Sequence, residues 1–290
     1  MLIYCNGSII PPQEVRISPF DHGFMYGLGL FETFRTYQGH PFLLDDHFQR
    51  LHDGLKNLRI NVSQYDRRQV TEIIQKLLKE NELTDAYFRW NVSAGEGPIG
   101  LSTSAYSSPN TIVFIKELPS KATLEKKLVV LSQPRNTPEG KERLKSHHFL
   151  NNIYGKLEIA DERDAEGLFL TAEGYVAEGV VSNVFWRQGE NVFTPSVNCG
   201  ILNGVTRQFV IRLIKSLGYS VHEGFYPLSA LLEAEEVMIT NSIQEIVSIS
   251  SAKGHPFAGH DGLLYKELSA MYANVTETQL LWSRDELSKR

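Results

Sequence analysis

The chain has only two cysteines in 290 residues, Cys5 and Cys199, far apart in sequence. No disulfide framework follows, and the usage fits a reducing compartment. Positive charge is not in excess either: 29 Lys and Arg against 34 Asp and Glu give a net charge of -5. No basic surface announces nucleic acid. The opening Met-Leu-Ile-Tyr-Cys-Asn-Gly carries no basic start and no long apolar run, so a secretory signal is not expected. No apolar stretch reaches the roughly 20 residues of a membrane-spanning helix. Repeats and low-complexity tracts are missing as well. These absences leave the expectation of a cytoplasmic protein that binds neither nucleic acid nor membrane. Hydrophobic residues make up 42% and charged residues 22%, the proportions of a globular chain with a real core.

The patterning that is present is α+β, strands and helices without strict alternation. Leu2 to Cys5 and Ser8 to Ile10 flank Asn6-Gly7, a favoured hairpin turn. Phe31 to Tyr37 is predicted as a strand, with Phe42 to Leu44 as its partner. Asp45 or Asp46 can cap a helix in which Phe48, Leu51, Leu55 and Leu58 share a face. A second helix is predicted from Asp66 to Asn81, then strands at Ala86 to Ala94 and Thr111 to Leu118. Residues 119–126, with Pro119 and Ser120, are expected to link an N-terminal domain, 1–118, to a C-terminal one, 127–290. In the latter, strands are expected at 127–131, 168–171, 184–187, 191–194 and 237–240. Helices are expected at 151–165, from 206 to 217, and within 262–287.

Two motifs invite attention and fail on context. Gly95-Glu-Gly-Pro-Ile-Gly100 is a literal G-x-G-x-x-G, but a Ser-rich stretch with Pro109 follows where a dinucleotide site needs a helix. His147-His148 are adjacent, so on an extended chain their side chains point apart, and no Cys or carboxylate cluster joins them. No metal is expected.

The informative region runs from Arg143 to Thr206. Lys145 follows a Gly-containing turn beside Leu144; a lysine near apolar surface gives up its proton more easily. Glu178 stands between Val176-Ala177 and Gly179-Val180-Val181, where a carboxylate needs a cationic partner. Gly204-Val205-Thr206 precedes a helix, and helix amides with a Thr hydroxyl can cup a phosphate. Thr240-Asn241-Ser242 ends a strand with three hydrogen-bonding side chains. Alone, each reads first as a surface lysine, an ordinary ion pair, a cap or a turn. Together they supply what pyridoxal phosphate needs: an amine, an acidic partner for the pyridine nitrogen and a phosphate cup.

With Tyr26-Gly-Leu-Gly-Leu-Phe-Glu-Thr-Phe-Arg35 and Pro41-Phe-Leu-Leu-Asp-Asp-His-Phe-Gln-Arg50-Leu51, these segments resemble the fold-type IV pyridoxal-phosphate enzymes over nearly the whole chain. The resemblance implies two α+β domains with the cofactor at their interface, the cofactor lysine in the C-terminal domain, and a homodimer. It implies that Lys145 carries the cofactor, that Glu178 pairs with the pyridine nitrogen and that Arg50 binds the phosphate. Val205, Thr206, Asn241 and Ser242 would complete the cup.

Within that family the chain departs from the aminotransferases. Position 31 is Phe31 rather than the tyrosine of the D-amino-acid aminotransferases, and the loop 95–100 lacks their Arg-x-His pair. Leu150 stands five residues after Lys145, where branched-chain aminotransferases carry tyrosine, and Phe88-Arg89-Trp90 replaces their Arg-Pro strand signature. Phe31-Glu-Thr-Phe-Arg35, Asn136-Thr-Pro-Glu-Gly140, Leu144 to Asn152 and Thr240-Asn-Ser-Ile243 resemble the aminodeoxychorismate lyases of the Bacillus type. That resemblance implies 4-amino-4-deoxychorismate as substrate, with an aminotransferase as the alternative. The substrate's two carboxylates make Phe31 and Arg89 candidate pocket residues; Arg35 reads as structural.

Overall fold

The computed structural model describes residues 1–118 and 125–289. The chain divides into two compact units. One comprises Met1–Pro119, Leu144–His148 and Thr276–Arg290; the other comprises Ser120–Arg143 and Phe149–Val275.

The first unit is built on an antiparallel sheet, six-stranded among the described residues. Its order is Ser8–Ile10, Ile3–Cys5, Asn110–Lys116, Tyr87–Ser93, Gly29–Tyr37, His40–Pro41. The helices Leu44–Asn57 and Arg67–Glu80 bury Phe48, Leu51 and Leu55, and Val70, Ile74 and Leu77, in one core with Phe34, Phe88 and Trp90 of the sheet. Asp66 caps the second helix by accepting from the Gln69 amide at 2.7 Å. The first helix starts at Leu44, ahead of the expected Asp cap. Leu43 holds the cap position in a left-handed conformation, and Asp45 and Asp46 lie in the first turn, where the helix dipole favours them. The strand partner of 31–37 is correspondingly shorter and earlier than expected, His40–Pro41 against Thr36 and Tyr37.

The second unit carries a mixed sheet, nine-stranded among the described residues. Its order is Ser220–Gly224, Asn191–Pro195, Asn183–Gln188, Glu236–Asn241, Glu245–Ala252, Glu125–Val130, Ala165–Leu170, Val176–Gly179, with His255–Pro256 paired to Glu245–Ala252. Helices Val205–Ser216 and Leu263–Thr278 meet through Phe209 and Tyr272, edge to face at 5.5 Å. The helix expected over 151–165 spans only Leu150–Glu158. Its end is fixed when the Glu158 carboxylate accepts from the amides of Ser132 and Gln133, and Asp164 (φ 50) turns the chain into the strand that begins at Ala165. The Ser-containing strand Glu245–Ala252 and the polar edge strand Ser220–Gly224 lack clean hydrophobic alternation, so the sequence does not announce them.

Two domain expectations change. Residues 119–124 of the expected linker lie outside the described residues, and Glu125 and Lys126 already belong to a strand. Lys145, expected with the C-terminal domain, lies in the first unit. The physical reason is backbone pairing: the Phe31 amide donates to Lys145 O at 2.9 Å, the His147 amide donates to Gly29 O at 3.0 Å, and Leu30 bridges Ser146. Among the described residues, no helix is long and apolar enough to cross a membrane.

Candidate active site

Lys145 is half-buried and docked along strand Gly29–Tyr37, with its Nζ 4.7 Å from the centroid of the Phe31 ring. The Arg89 guanidinium lies 3.6 Å from the same centroid, and the His147 ring stacks on Phe31 at 6.5 Å. The structure therefore brings Lys145, Phe31 and Arg89 together as a cluster of two cations on one aromatic ring. Burial lowers the Arg89 guanidinium from its ordinary value. Burial, reinforced by Arg89, takes His147 down to about 4, so its imidazole is neutral near pH 7. Arg35 lies over Tyr37 at 4.5 Å, a packing contact.

The seat of the Lys145 segment depends on glycine. A Cβ on Gly29 would stand 2.3 Å from Cε1 of His147 and 2.6 Å from Val92 O. Gly29→Ala is expected to destabilise the protein by about 1–3 kcal/mol, the usual cost of overpacking. Thermal denaturation checks this, and an unchanged melting temperature would show that the segment is not seated here.

Arg50, on helix Leu44–Asn57, engages Glu32 through two parallel bonds, Nε to Oε1 and Nη2 to Oε2, each 2.7 Å. His47 donates from Nδ1 to Glu32 Oε2 at 2.7 Å. Burial pushes the Glu32 carboxyl up, but Arg50 and His47 together outweigh it and hold it at about 2. Burial lowers His47, which stays a neutral donor. Glu32 and His47 were not expected at the site. The available signal was Glu32 at an inward strand position facing a helix that carries Arg50. Any phosphate contact by Arg50 must use the guanidinium edge turned away from Glu32.

In the second unit Glu178 lies on strand Val176–Gly179, buried. Its Oε1 accepts from Arg135 Nε at 2.8 Å and has Arg143 Nε at 3.7 Å; its Oε2 accepts from the Leu202 amide at 2.9 Å and Asn183 Nδ2 at 3.5 Å. The cationic partner the sequence called for is thus already present in Arg135, which local pattern did not single out. Burial, and then the neighbouring Arg135, lower Arg143 to about 10.

Helix Val205–Ser216 starts at Gly204 without a side-chain cap. Thr206 Oγ1 and Ser242 Oγ lie 3.0 Å apart, so the structure joins two turns that are separate in the sequence. Val205 is buried and can offer only its backbone. Asn241 Oδ1 accepts from the amides of Ile243 and Gln244 at 3.0 and 2.8 Å, so that side chain closes its own turn. Gly95 (φ +82) tolerates no Cβ beside Ser108 O, and Gly100 N–H donates to Tyr26 Oη at 2.9 Å; a loop, not a helix, follows Gly95. Among the described residues, no group of three or more His, Cys, Asp or Glu could hold a metal ion.

These donors fit pyridoxal phosphate. Gly204 lets the helix start pack on Asn183, since a Cβ there would stand 2.2 Å from Asn183 Oδ1. Uncapped helix amides with two hydroxyls suit a phosphate. Glu178 Oε1, which accepts one hydrogen bond from Arg135, keeps acceptor capacity for a protonated ring nitrogen.

The sequence pattern of the class IV amino-transferases matches residues 29–252, and the chain belongs to that family. It is 45% identical over 274 residues to the aminodeoxychorismate lyase of Bacillus subtilis (strain 168), covering 93% of each chain. It is 32% identical over 278 residues to a putative branched-chain-amino-acid aminotransferase of Methanocaldococcus jannaschii, covering 95% of this chain and 96% of that one. The fold matches a solved T.th. branched-chain amino acid aminotransferase complexed with N-(5'-phosphopyridoxyl)-L-glutamate, with a TM-score of 0.83 and 26% identity over 95% of this chain and 93% of that one.

Proposed function

We propose that this chain is a pyridoxal-phosphate-dependent aminodeoxychorismate lyase, converting 4-amino-4-deoxychorismate to 4-aminobenzoate and pyruvate in folate biosynthesis. The observation that carries the reading is 45% identity to such a lyase over 93% of both chains, against 32% for the M. jannaschii aminotransferase. Leu150 and the missing Arg-x-His pair agree with it.

When bound, pyridoxal phosphate supplies an electron sink conjugated to the substrate amine. Lys145 Nζ would hold the cofactor and, as a free amine, would take the proton from the substrate carbon that bears nitrogen. Glu178 holds a proton at the ring nitrogen. Val205 N–H, Thr206, the Asn241-Ser242 turn and Arg50 bind the phosphate. Arg89, braced on Phe31, offers its guanidinium to a substrate carboxylate. The enolpyruvyl ether bond breaks, pyruvate leaves and the ring becomes aromatic, so no net amino transfer is required. The protein acts as a homodimer in the cytoplasm.

The test is to add 4-amino-4-deoxychorismate to the yellow protein and to follow pyruvate and fluorescent 4-aminobenzoate. Equal amounts of both are expected. No release from an intact holoenzyme, with conversion of the cofactor by amino acid alone, would make the chain a D-amino-acid or branched-chain aminotransferase instead.

A further inference from the structure

Two motifs that contact no proposed ligand converge on one guanidinium. Arg135 Nη1 donates to Asn151 Oδ1 at 2.6 Å, to Asn152 Oδ1 at 3.2 Å and to Asn136 Oδ1 at 3.5 Å. The acceptors are themselves fixed: Asn151 Nδ2 donates to Pro134 O at 3.0 Å and Asn152 Nδ2 to Val180 O at 2.5 Å. The Arg135 amide donates to Leu170 O at 2.8 Å, and the Phe169 ring centroid is 5.2 Å from its guanidinium carbon. Arg143 is tied in the same way, through Nε to Gly200 O at 2.5 Å, through Nη1 to Asn136 Oδ1 at 3.2 Å, and through Nη2 to Asn136 O. Both guanidiniums face one buried carboxylate, Glu178, at 2.8 and 3.7 Å.

A buried ion pair adds little net stability over a packed apolar pair. Two arginines and three asparagines around one carboxylate therefore call for another role. We propose that Arg135, backed by Arg143, is a positioning residue that aims Glu178 and supplies its counter-charge, so that the proton shared with the cofactor's ring nitrogen stays on the nitrogen. The inference rests on the proposed pairing of Glu178 with that nitrogen. Its sign follows from distance. Arg135 touches the carboxylate directly, so its charge favours a carboxylate anion as the partner of a protonated ring nitrogen. Without it the proton moves toward Glu178, weakening the electron sink. Asn136, Asn151 and Asn152, which look like lyase signatures in sequence, act here by fixing the arginines.

The experiment loads the enzyme with pyridoxal phosphate carrying a labelled ring nitrogen and reads the nitrogen chemical shift by NMR. Wild type is expected at the pyridinium position and Glu178→Gln at the neutral pyridine position. Arg135→Gln should move from the first toward the second. Arg143→Gln should move less, in the same direction, and Arg135→Lys should return most of the way to wild type because the charge is restored. Arg135→Gln and Arg143→Gln at the wild-type position, with Glu178→Gln displaced, would overturn the role of the arginines alone. Glu178→Gln at the wild-type position would instead overturn the Glu178 pairing, and this inference with it. If Arg135→Gln fails to fold, Arg143→Gln decides: a wild-type shift there overturns the proposal.

Discussion

Lys145→Ala is expected to give a folded protein that stays colourless with pyridoxal phosphate and has lost its lyase activity. The general-base contribution alone is on the order of 10²–10⁴ in rate, and loss of the covalent tether adds to it. The fold should survive, because the segment is held by backbone bonds from Lys145 O and the His147 amide, which alanine keeps. Absorbance near the visible cofactor band, circular dichroism and the pyruvate assay report the three parts separately. Retention of the band or of turnover would assign the chemistry to another lysine.

The second large effect concerns stability. Glu32 is 1% exposed and supports both Arg50 and His47. Glu32→Gln removes the charge that Arg50 meets through two hydrogen bonds, and breaking a buried pair from one side costs about 3–5 kcal/mol. The folded carboxyl titrates near 2, against an ordinary 4.5. Because the folded value is the lower one, the stabilisation is complete above about pH 5 and drains away as pH falls from there toward 2. Chemical denaturation of wild type between those limits should show that acid loss, and Glu32→Gln should show a flatter limb from a lower plateau. Equal acid limbs in both proteins would mean that Glu32 is not the group that titrates.

Much of the first unit was legible residue by residue. Asp66 and Asn81 bracket a helix as polar caps do, and Asn6-Gly7 sits at the hairpin tip because that pair accepts positive φ, 45 and 102 here. Such features depend on a few neighbouring residues. The asparagine motif at 151–152 was visible too, but not its use. Arg135 is 43 residues from Glu178, and no local rule pairs them.

The sequence by itself determined the succession of strands and helices, most of their extents, and the set of side chains able to serve pyridoxal phosphate. These follow from periodicity, turn chemistry and residue type. Only the tertiary structure decided which unit holds Lys145, which cations face Glu178, and that Asn241 spends its side chain on its own turn. Those outcomes depend on backbone pairing and burial between segments far apart in the chain. The free energy of seating Lys145 on Gly29 or Arg135 on Glu178 exists only once both partners have left water together.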